Sequence, residues 1–176
     1  QVVRITATNR WIYGSVTVPK LDTETHEALA GAEFTVYADS NANGKLDPEE
    51  LASAQLVPET ENTGVFLLEH LRYGHYILVE TKAPDLYYRD ENEYPFAITY
   101  DGQVVTIENE SGVGFVDQHV PEIHTSAASA GMQDVYTEEF DGITDTVSYK
   151  HLIVGKEYTI QGVLMDKATG KPFLDA

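Results

Sequence analysis

The chain has 176 residues, 42% of them hydrophobic, and it contains no cysteine. Its 29 acidic and 11 basic residues give a formal net charge of -18. This negative charge argues against binding to nucleic acid or to an anionic membrane surface, because both would repel it, and it favours solubility and cation binding. No segment approaches the roughly 20 apolar residues of a membrane helix, so we expect no membrane span in this fragment.

Short alternating runs rich in Val, Ile, Tyr, Phe and Thr recur along the chain and predict β-strands. In chain order they cover residues 2–8, 15–21, 32–38, 64–71, 75–81, 94–100, 103–109 and 113–118. Asp101-Gly102 separates two of these runs and predicts a two-residue hairpin. The one predicted helix covers residues 48–55, with Pro48 in its first turn. Strands of this length and spacing predict an all-β, immunoglobulin-like sandwich.

The strand pattern restarts after residues 119–122, which predicts a domain boundary there. Residues 13–120 hold seven predicted strands, whereas residues 121–176 hold three or four, in EIHTSA, ITDTVSYK and KEYTIQGVLMD. We therefore expect one complete domain at 13–120 and a partial second β-sandwich domain at 121–176. Residues 1–12 are expected to be the end of a preceding domain or a linker strand.

Three ionisable residues, Lys20, Glu80 and Asp117, each continue an apolar stripe on a predicted strand. The apolar residues that share their strand faces are Val16 and Val18 for Lys20, Tyr76 and Leu78 for Glu80, and Val113 and Phe115 for Asp117. If the three meet in an apolar core, burial disfavours their charged forms. A neutral amine beside a protonated carboxyl is what amide formation requires. We therefore expect an isopeptide bond between Lys20 and Asp117, with Glu80 moving the protons as the catalyst.

Two segments carry a family resemblance: KLDTETHEALAGAEF (Lys20 to Phe34) and LVETKAP (Leu78 to Pro84). They resemble the Cna protein B-type, or SpaA-like, domains of Gram-positive surface proteins and pilins, and the resemblance covers nearly all of 14–120. It implies a prealbumin-like β-sandwich. It also implies that a lysine on the first strand is joined to an Asn or Asp on the last strand, with a glutamate as catalyst. Those positions fall on Lys20, Asp117 and Glu80.

Asn109 is an alternative acceptor, because it shares a strand face with Val105 and Ile107 and the family uses either Asn or Asp. We prefer Asp117 because it lies on the last strand before the predicted boundary. Closure on Asp117 would release water and closure on Asn109 would release ammonia.

A further alternative concerns Lys20 itself. The segment WIYGSVTVPK weakly resembles the pilin motif whose lysine a sortase joins to the next subunit, although the tyrosine before the proline is missing.

Residues 39–50 match the twelve-residue EF-hand loop at every liganding position. The predicted ligands are the side chains of Asp39, Asn41, Asn43, Asp47 and Glu50 and the carbonyl of Lys45. Gly44 stands where the loop turns sharply. A predicted strand, rather than a helix, precedes the loop, so we expect an EF-hand-like insertion in the sandwich. With two Asn ligands in place of carboxylates, we expect weak Ca²⁺ binding of the extracellular type.

The second segment, 121–176, resembles the start of the VaFE-repeat domains of Gram-positive surface proteins, which form Thr–Gln ester crosslinks. The resemblance lies in DTVSYK (Asp145 to Lys150) and GVLMDKATGK (Gly162 to Lys171). It implies that Thr125 is the ester-forming threonine and that Asp145 is a supporting acid. The glutamate and glutamine of that family should lie further on, so we expect the ester site to be incomplete in this fragment.

Together these features predict a stalk or spacer module of a Gram-positive, cell-wall-anchored surface protein, either adhesin or pilin. We expect it to be extracellular, anchored through a missing part of the parent protein, with neighbouring domains of that protein as partners. The absence of cysteine fits, because an extracellular β protein without disulfides needs another staple. The alternative is an adhesin domain that recognises host matrix protein or glycan through aromatics such as Trp11, Tyr87 and Tyr88. We expect no enzyme beyond the single self-crosslinking event, since the sequence has no H-E-x-x-H, nucleophile elbow or phosphate loop.

Overall fold

The computed structural model describes residues 4, 6, 8–128, 144–163 and 165–172. Within these residues the regular elements are one 3₁₀ helix (Pro48–Ser53) and ten strands, β1 (Tyr13–Asp22), β2 (Glu33–Ala38), β3 (Gln55–Val57), β4 (Val65–Arg72), β5 (Gly74–Lys82), β6 (Glu93–Ile98), β7 (Gln103–Thr106), β8 (Phe115–Asp117), β9 (Glu122–Ala128) and β10 (Thr144–Lys150). No helix in this part of the chain is long and apolar enough to cross a membrane. The strand predicted at 2–8 falls largely outside the described residues.

The chain divides into two compact units, Gln1–Val120 and Pro121–Ala176. In the first unit, one sheet has the order β3-β2-β5-β6, and the other is built around β1. Strand β1 pairs with β4 in an antiparallel fashion along one edge. Along its other edge, β7 and then β8 pair with it in parallel. The first and last strands of this unit are therefore direct neighbours.

The core of the first unit lies between these two sheets. Every second residue of β1 is buried, which is the alternation expected of a strand with one face on a core. Phe34 from the opposite sheet packs edge-to-face against Phe66 and Phe115, with ring centroids 5.0 Å apart in both pairs. Aromatic pairs of this geometry stabilise beyond their buried area. The arrangement confirms the predicted all-β sandwich.

The residues Asp101-Gly102 form a turn, but the predicted hairpin is wrong. Strand β6 before the turn pairs with β5, whereas β7 after it pairs with β1 in the other sheet. The turn is held to the start of β1, because the Gly102 N–H donates to the Tyr13 carbonyl (2.8 Å) and the Tyr13 N–H donates to Asp101 Oδ1 (3.2 Å). These bonds carry the chain across the sandwich from one sheet to the other.

The helix predicted at 48–55 is shorter than expected and of the 3₁₀ type, ending at Ser53. The Ser53 hydroxyl donates to the Glu50 carbonyl (2.6 Å) and accepts from the Ala38 N–H (2.8 Å). This ties the end of the helix to β2. The chain then extends at once into β3, which pairs with β2 and which the sequence pattern did not predict.

In the second unit, β9 and β10 form an antiparallel pair in which Thr125 lies opposite Val147. The strand predicted from KEYTIQGVLMD is not a strand in the described residues. Its alternating Tyr158 and Ile160 are exposed. An alternating run needs a neighbouring strand, and no described strand pairs with this one. Among the described residues of this run, the one pairing is the isolated bridge between Met165 and Pro172.

Candidate functional site

The two sheets of the first unit bring Lys20, Glu80 and Asp117 into one buried cluster. On neighbouring strands β1 and β8, the Lys20 amine contacts Oδ1 of Asp117. Glu80 projects from β5 in the opposite sheet, and its Oε1 lies 3.2 Å from Lys20 Nζ. Lys20 and Glu80 are 0% exposed and Asp117 is 3% exposed. The structure therefore places an amine between two carboxyls in the interior of the sandwich.

Aromatic rings enclose this cluster. The Lys20 amine lies 4.8 Å from the centroid of the Phe115 ring. That ring packs edge-to-face against Phe34 (5.0 Å) and Tyr94 (5.2 Å). Surroundings of this kind exclude water and lower the effective dielectric constant. The interaction energy between charges is therefore larger than in water, and each charge loses more hydration energy.

The contacts within the cluster leave its polar atoms poorly satisfied. Lys20 Nζ, Glu80 Oε1 and Asp117 Oδ2 are buried and make no hydrogen bond of acceptable geometry within the described structure, despite the close approach of the groups. A buried polar atom without a hydrogen bond costs about 1–3 kcal/mol, and more if charged. An amide in place of the ammonium and carboxylate would remove two charges and leave a single N–H donor.

The pKa values of both carboxyls are raised. Burial raises the pKa of Glu80 to about 7, against the opposing charge of Lys20. Burial also raises the pKa of Asp117, and its contact with Lys20 opposes this. Glu80 therefore retains a proton to near-neutral pH, and Asp117 holds a proton to a higher pH than a free aspartate does. The cluster holds what amide formation needs: an amine, a carboxyl that can be protonated beside it, and a second carboxyl to move protons.

Asn109, the alternative acceptor, makes different contacts. Its Oδ1 accepts from the Val116 N–H (2.7 Å), and its Nδ2 donates to the Val116 carbonyl (2.8 Å) and to Asp90 Oδ2 (2.9 Å). The recorded ion-pair partners of Lys20 are Glu80 and Asp117. The geometry therefore favours Asp117 as the acceptor.

Sequence reasoning missed a second, partly buried cluster, formed by Asp22, Tyr87 and His119. Asp22 Oδ2 accepts from the Tyr87 hydroxyl (2.6 Å) and lies 2.7 Å from His119 Nε2. Burial opposes ionisation of Asp22, but hydrogen bonds from Tyr87 and from the backbone of the following turn hold its pKa well below the usual range. The cluster ties His119 to the end of β1. No local sequence pattern predicts this cluster, because its three residues lie far apart in the sequence.

The loop at 39–50 is held together by hydrogen bonds from its backbone N–H groups to its own acidic side chains. Both oxygens of Asp39 accept from the loop, Oδ1 from the Asn43 N–H (3.1 Å) and Oδ2 from the Gly44 N–H (2.9 Å). Gly44 has φ 74°, the left-handed conformation of the sharp turn. Glu50 is buried, and its two oxygens accept from different backbone N–H groups, those of Ser40 and Asp47.

The remaining loop side chains form hydrogen bonds with one another. The amide nitrogens of Asn41 and Asn43 both donate to Asp47 Oδ2, each at 2.8 Å. Within the described residues, no group of three or more His, Cys, Asp and Glu side chains is arranged to hold a metal ion. A cation here would therefore depend on the amide oxygens of the two Asn residues, and on the predicted Lys45 carbonyl, as much as on carboxylates.

In the second unit, Thr125 and Asp145 lie on the two paired strands. Thr125 is opposite Val147, and Asp145 is opposite Ala127, two residues along the same ladder. Residues two apart on a strand share a face, so Thr125 and Asp145 are diagonal neighbours on one face of the pair. Both are exposed in the described structure.

Two family models match the chain. Residues 14–111 match the SpaA prealbumin-like fold domain, and residues 121–173 match the T-Q ester bond containing domain. The first match covers more than half of the chain, which therefore belongs to the SpaA prealbumin-like domain family. The matches confirm the two resemblances drawn from the sequence.

Solved pilin structures are similar to this chain. They include the full-length major pilin SpaD from Corynebacterium diphtheriae, with 19% identity, a TM-score of 0.50, and coverage of 70% of this chain and 34% of that one. For BcpA, the major pilin subunit of Bacillus cereus, the values are 22%, 0.48, 68% and 32%. The chain thus spans about a third of the length of these pilins. No curated protein sequence matches it.

Proposed function

We propose that residues 13–120 form a self-crosslinked stalk module of an extracellular, wall-anchored surface protein or pilin of a Gram-positive bacterium. Residues 121–176 would belong to the next domain of the same protein. The observation that carries this proposal is the buried contact of the Lys20 amine with Asp117, beside Glu80. A bond there would join the first strand of the domain to the last. Membership of the SpaA prealbumin-like family supports the same function.

The proposed reaction forms the bond between Lys20 Nζ and the Asp117 side-chain carbon. One carboxyl of the pair is already protonated at the start, and a proton moves from the ammonium to the other, giving a neutral amine and two protonated carboxyls. The amine attacks the Asp117 carbon while protonated Glu80 donates to the carboxyl oxygen and later receives a proton from the nitrogen. The C–O bond breaks, water leaves, and Glu80 is regenerated. Each molecule reacts once, so the chain performs no turnover.

Intact-mass spectrometry of the folded chain tests this proposal. We expect a mass below the sequence mass by one water molecule, and a tandem spectrum that joins the peptides containing Lys20 and Asp117. The full sequence mass would reject the crosslink. A loss of ammonia in the natural sequence would identify an amide-bearing acceptor such as Asn109.

Two variants sharpen the mass measurement. The Asp117→Asn variant should still form the crosslink but release ammonia, because the group that leaves is now the side-chain amide nitrogen. Glu80→Gln keeps the size of the side chain but cannot shuttle protons, so we expect the full sequence mass. A loss of water that persists in Asp117→Asn would show that another carboxyl is the acceptor.

The adhesin alternative gains little from the exposed aromatics. Tyr87 is half-buried, with its hydroxyl committed to Asp22. The Arg72 guanidinium covers one face of the Trp11 ring at 4.8 Å. Trp11 and Tyr88 are exposed, as are Tyr73 and Tyr100, but aromatic side chains scattered singly over a surface are ordinary. The stalk function therefore accounts for more of the described structure.

We also propose that the 39–50 loop binds Ca²⁺ weakly. Support comes from the twelve-residue pattern, from the left-handed Gly44 and from two buried carboxylates, Asp39 and Glu50. For binding, the amides of Asn41 and Asn43 would turn so that their oxygens, rather than their nitrogens, face the ion beside Asp47. The strong negative charge of the chain also favours cations.

Calorimetric titration with CaCl₂ tests the loop. We expect binding with a dissociation constant of about 10⁻⁴–10⁻³ M, as in other extracellular sites. Glu50→Gln should abolish it, whereas Glu49→Gln, an exposed neighbour with the same change of charge, should leave it intact. If the two variants bind equally, the heat arises from general electrostatic attraction and the site is rejected.

We propose, finally, that Thr125 is the ester-forming threonine of the second unit and that Asp145 assists it. The match of residues 121–173 and the shared face of the two side chains support this. In the parent protein, Thr125→Ala should abolish a loss of ammonia assigned to this domain, while Thr146→Ala on the neighbouring strand should not. Retention of that loss in Thr125→Ala would reject the assignment.

A further inference from the structure

Strand β8 carries the acceptor Asp117 but has only three residues. A shift of one residue in its pairing would turn Asp117 away from the core, because successive side chains of a strand point to opposite faces. One edge of β8 is held by β1, where the Thr23 N–H donates to the Asp117 carbonyl. The position of so short a strand must be fixed on its other edge as well.

The side chain of Asn109 occupies that other edge. Its amide bonds both polar groups of the Val116 backbone, at 2.7 and 2.8 Å, as a residue of a paired strand would. Backbone groups of neighbouring residues in a strand point to opposite edges, so Val116 faces away from β1. Asn109 thus completes the hydrogen bonding of β8 on its open side and fixes its register.

Asp90 links the same asparagine to the catalyst. Its Oδ2 accepts from Asn109 Nδ2 (2.9 Å) and from the Tyr94 hydroxyl (2.6 Å). Its backbone N–H donates to Glu80 Oε2 (2.8 Å). The bond leaves Oε1 of Glu80 directed at Lys20. One short chain of hydrogen bonds therefore runs from the acceptor strand through Asn109 and Asp90 to Glu80.

We propose that Asn109 and Asp90 are positioning residues of the crosslinking reaction, Asn109 fixing the register of the acceptor strand and Asp90 coupling it to Glu80. This inference rests on the proposed function. It gives Asn109 a role other than that of acceptor. Neither residue hydrogen-bonds to the Lys20 amine or to the Asp117 carboxyl, between which the bond forms. Both act by holding Asp117 and Glu80 at their places around the Lys20 amine, where small displacements cost much of the rate.

The test follows crosslinking in real time in the full chain. The chain is purified in denaturant, refolding is started by dilution, and samples are quenched for intact mass while fluorescence reports the folded fraction. We expect Asn109→Ala to lose water as the natural sequence does, but at least about tenfold more slowly per folded molecule, since a misplacement of 1 Å can cost a hundredfold. Ile107→Val, a buried change in the same loop, serves as the destabilising control and should keep the natural rate.

A reciprocal exchange gives a second readout. Asn109→Asp alone places a carboxylate, which can only accept, opposite the Asp90 carboxylate. The hydrogen bond between the two residues is lost, and we expect slow crosslinking. Adding Asp90→Asn restores one donor between the positions and should recover part of the rate. An Asn109→Ala rate equal to that of the control, or no recovery in the exchange, would overturn the positioning roles. Absence of any crosslink in the natural sequence would overturn the proposed function itself. Ammonia loss that vanishes in Asn109→Ala would make Asn109 the acceptor, which would overturn the positioning roles but leave the module self-crosslinked.

Discussion

The amine of Lys20 and the carboxyls of Glu80 and Asp117 lie together in the core, and their protonation states affect both the stability of the fold and the proposed amide formation. Burial raises the pKa of Glu80 from 4.5 to about 7. A folded-state pKa above the unfolded value means that Glu80 favours the unreacted fold at low pH. That stabilisation is lost as the pH rises through about 7. The proposed crosslinking reaction needs this same proton.

Crosslinking should therefore slow down in alkali. Below pH 7, one carboxyl of the pair keeps a proton, and internal transfer from Lys20 gives the neutral amine. Above it that proton is lost and the amine stays charged, so we expect the rate to fall about tenfold per pH unit. Refolding from denaturant into buffers on either side of this pH, with mass sampled over time, measures the effect. A rate that follows the folding fluorescence alone at every pH would contradict it.

How much of the site the sequence could predict depends on the kind of group involved. Strand parity alone places Lys20, Glu80 and Asp117 on inward faces, and the family resemblance adds their roles. Asp90 acts through its backbone N–H, which every non-proline residue carries, so no pattern distinguishes it. Asp22 lies two residues after Lys20 on the same face, but its partners Tyr87 and His119 are distant in sequence.

At the scale of elements, Gly64 just before β4 sets the position of Lys20 on β1. The Gly64 carbonyl accepts from the Lys20 N–H at 2.6 Å. Gly64 has φ 73°, and a Cβ added there would lie 2.8 Å from the Lys20 carbonyl oxygen and 2.9 Å from the Leu29 nitrogen. Both neighbours are backbone atoms held in hydrogen bonds, so neither can move without disturbing β1.

Gly64→Ala should lower the free energy of unfolding and slow the crosslink, because β1 must shift at Lys20. Gly31→Ala is the matched control: its φ is 87°, and no atom lies within 4 Å of the added Cβ. The control carries only the left-handed backbone penalty of about 1–2 kcal/mol, and the clash at Gly64 adds about 1–3 kcal/mol. Chemical denaturation of both variants in the Glu80→Gln background measures the difference. Equal losses would show that the contact with Lys20 is not tight.

Strand existence was predictable here, but strand partnership was not. The alternation in residues 15–21 follows from local residue types, and β1 appears there. The partner of a strand depends on contacts made elsewhere, so Asp101-Gly102 turns between sheets instead of closing a hairpin. Strand β3 is too short to show a period, and it forms because β2 lies beside it. The run KEYTIQGVLMD alternates, yet within the described residues it forms no strand and pairs only through the isolated bridge at Met165.

For the whole molecule, the two ends of the first domain matter most. Strand β1 begins the domain and β8 ends it, and the two lie side by side in parallel. A stalk under tension is pulled at these ends, and hydrogen bonds to a three-residue strand offer little resistance. A covalent bond between Lys20 and Asp117 would transmit the force directly between β1 and β8, so that the rest of the domain would not be stretched. The proposed crosslink and the observed pairing of the first and last strands would therefore resist the same force.

Lys20→Met removes the amine while keeping an apolar side chain of similar length, so the crosslink is lost without a large cavity. The bond would close a loop of about 100 residues, for which the chain-entropy argument gives about 4–5 kcal/mol. We expect a correspondingly lower melting temperature and faster proteolysis. Lys82→Met is the control, because Lys82 is exposed and its pair with Glu33 at 3.7 Å belongs to a class worth about 0–1 kcal/mol. If Lys20→Met resists heat and protease as well as the natural sequence does, then no covalent bond holds the two end strands together in the natural sequence.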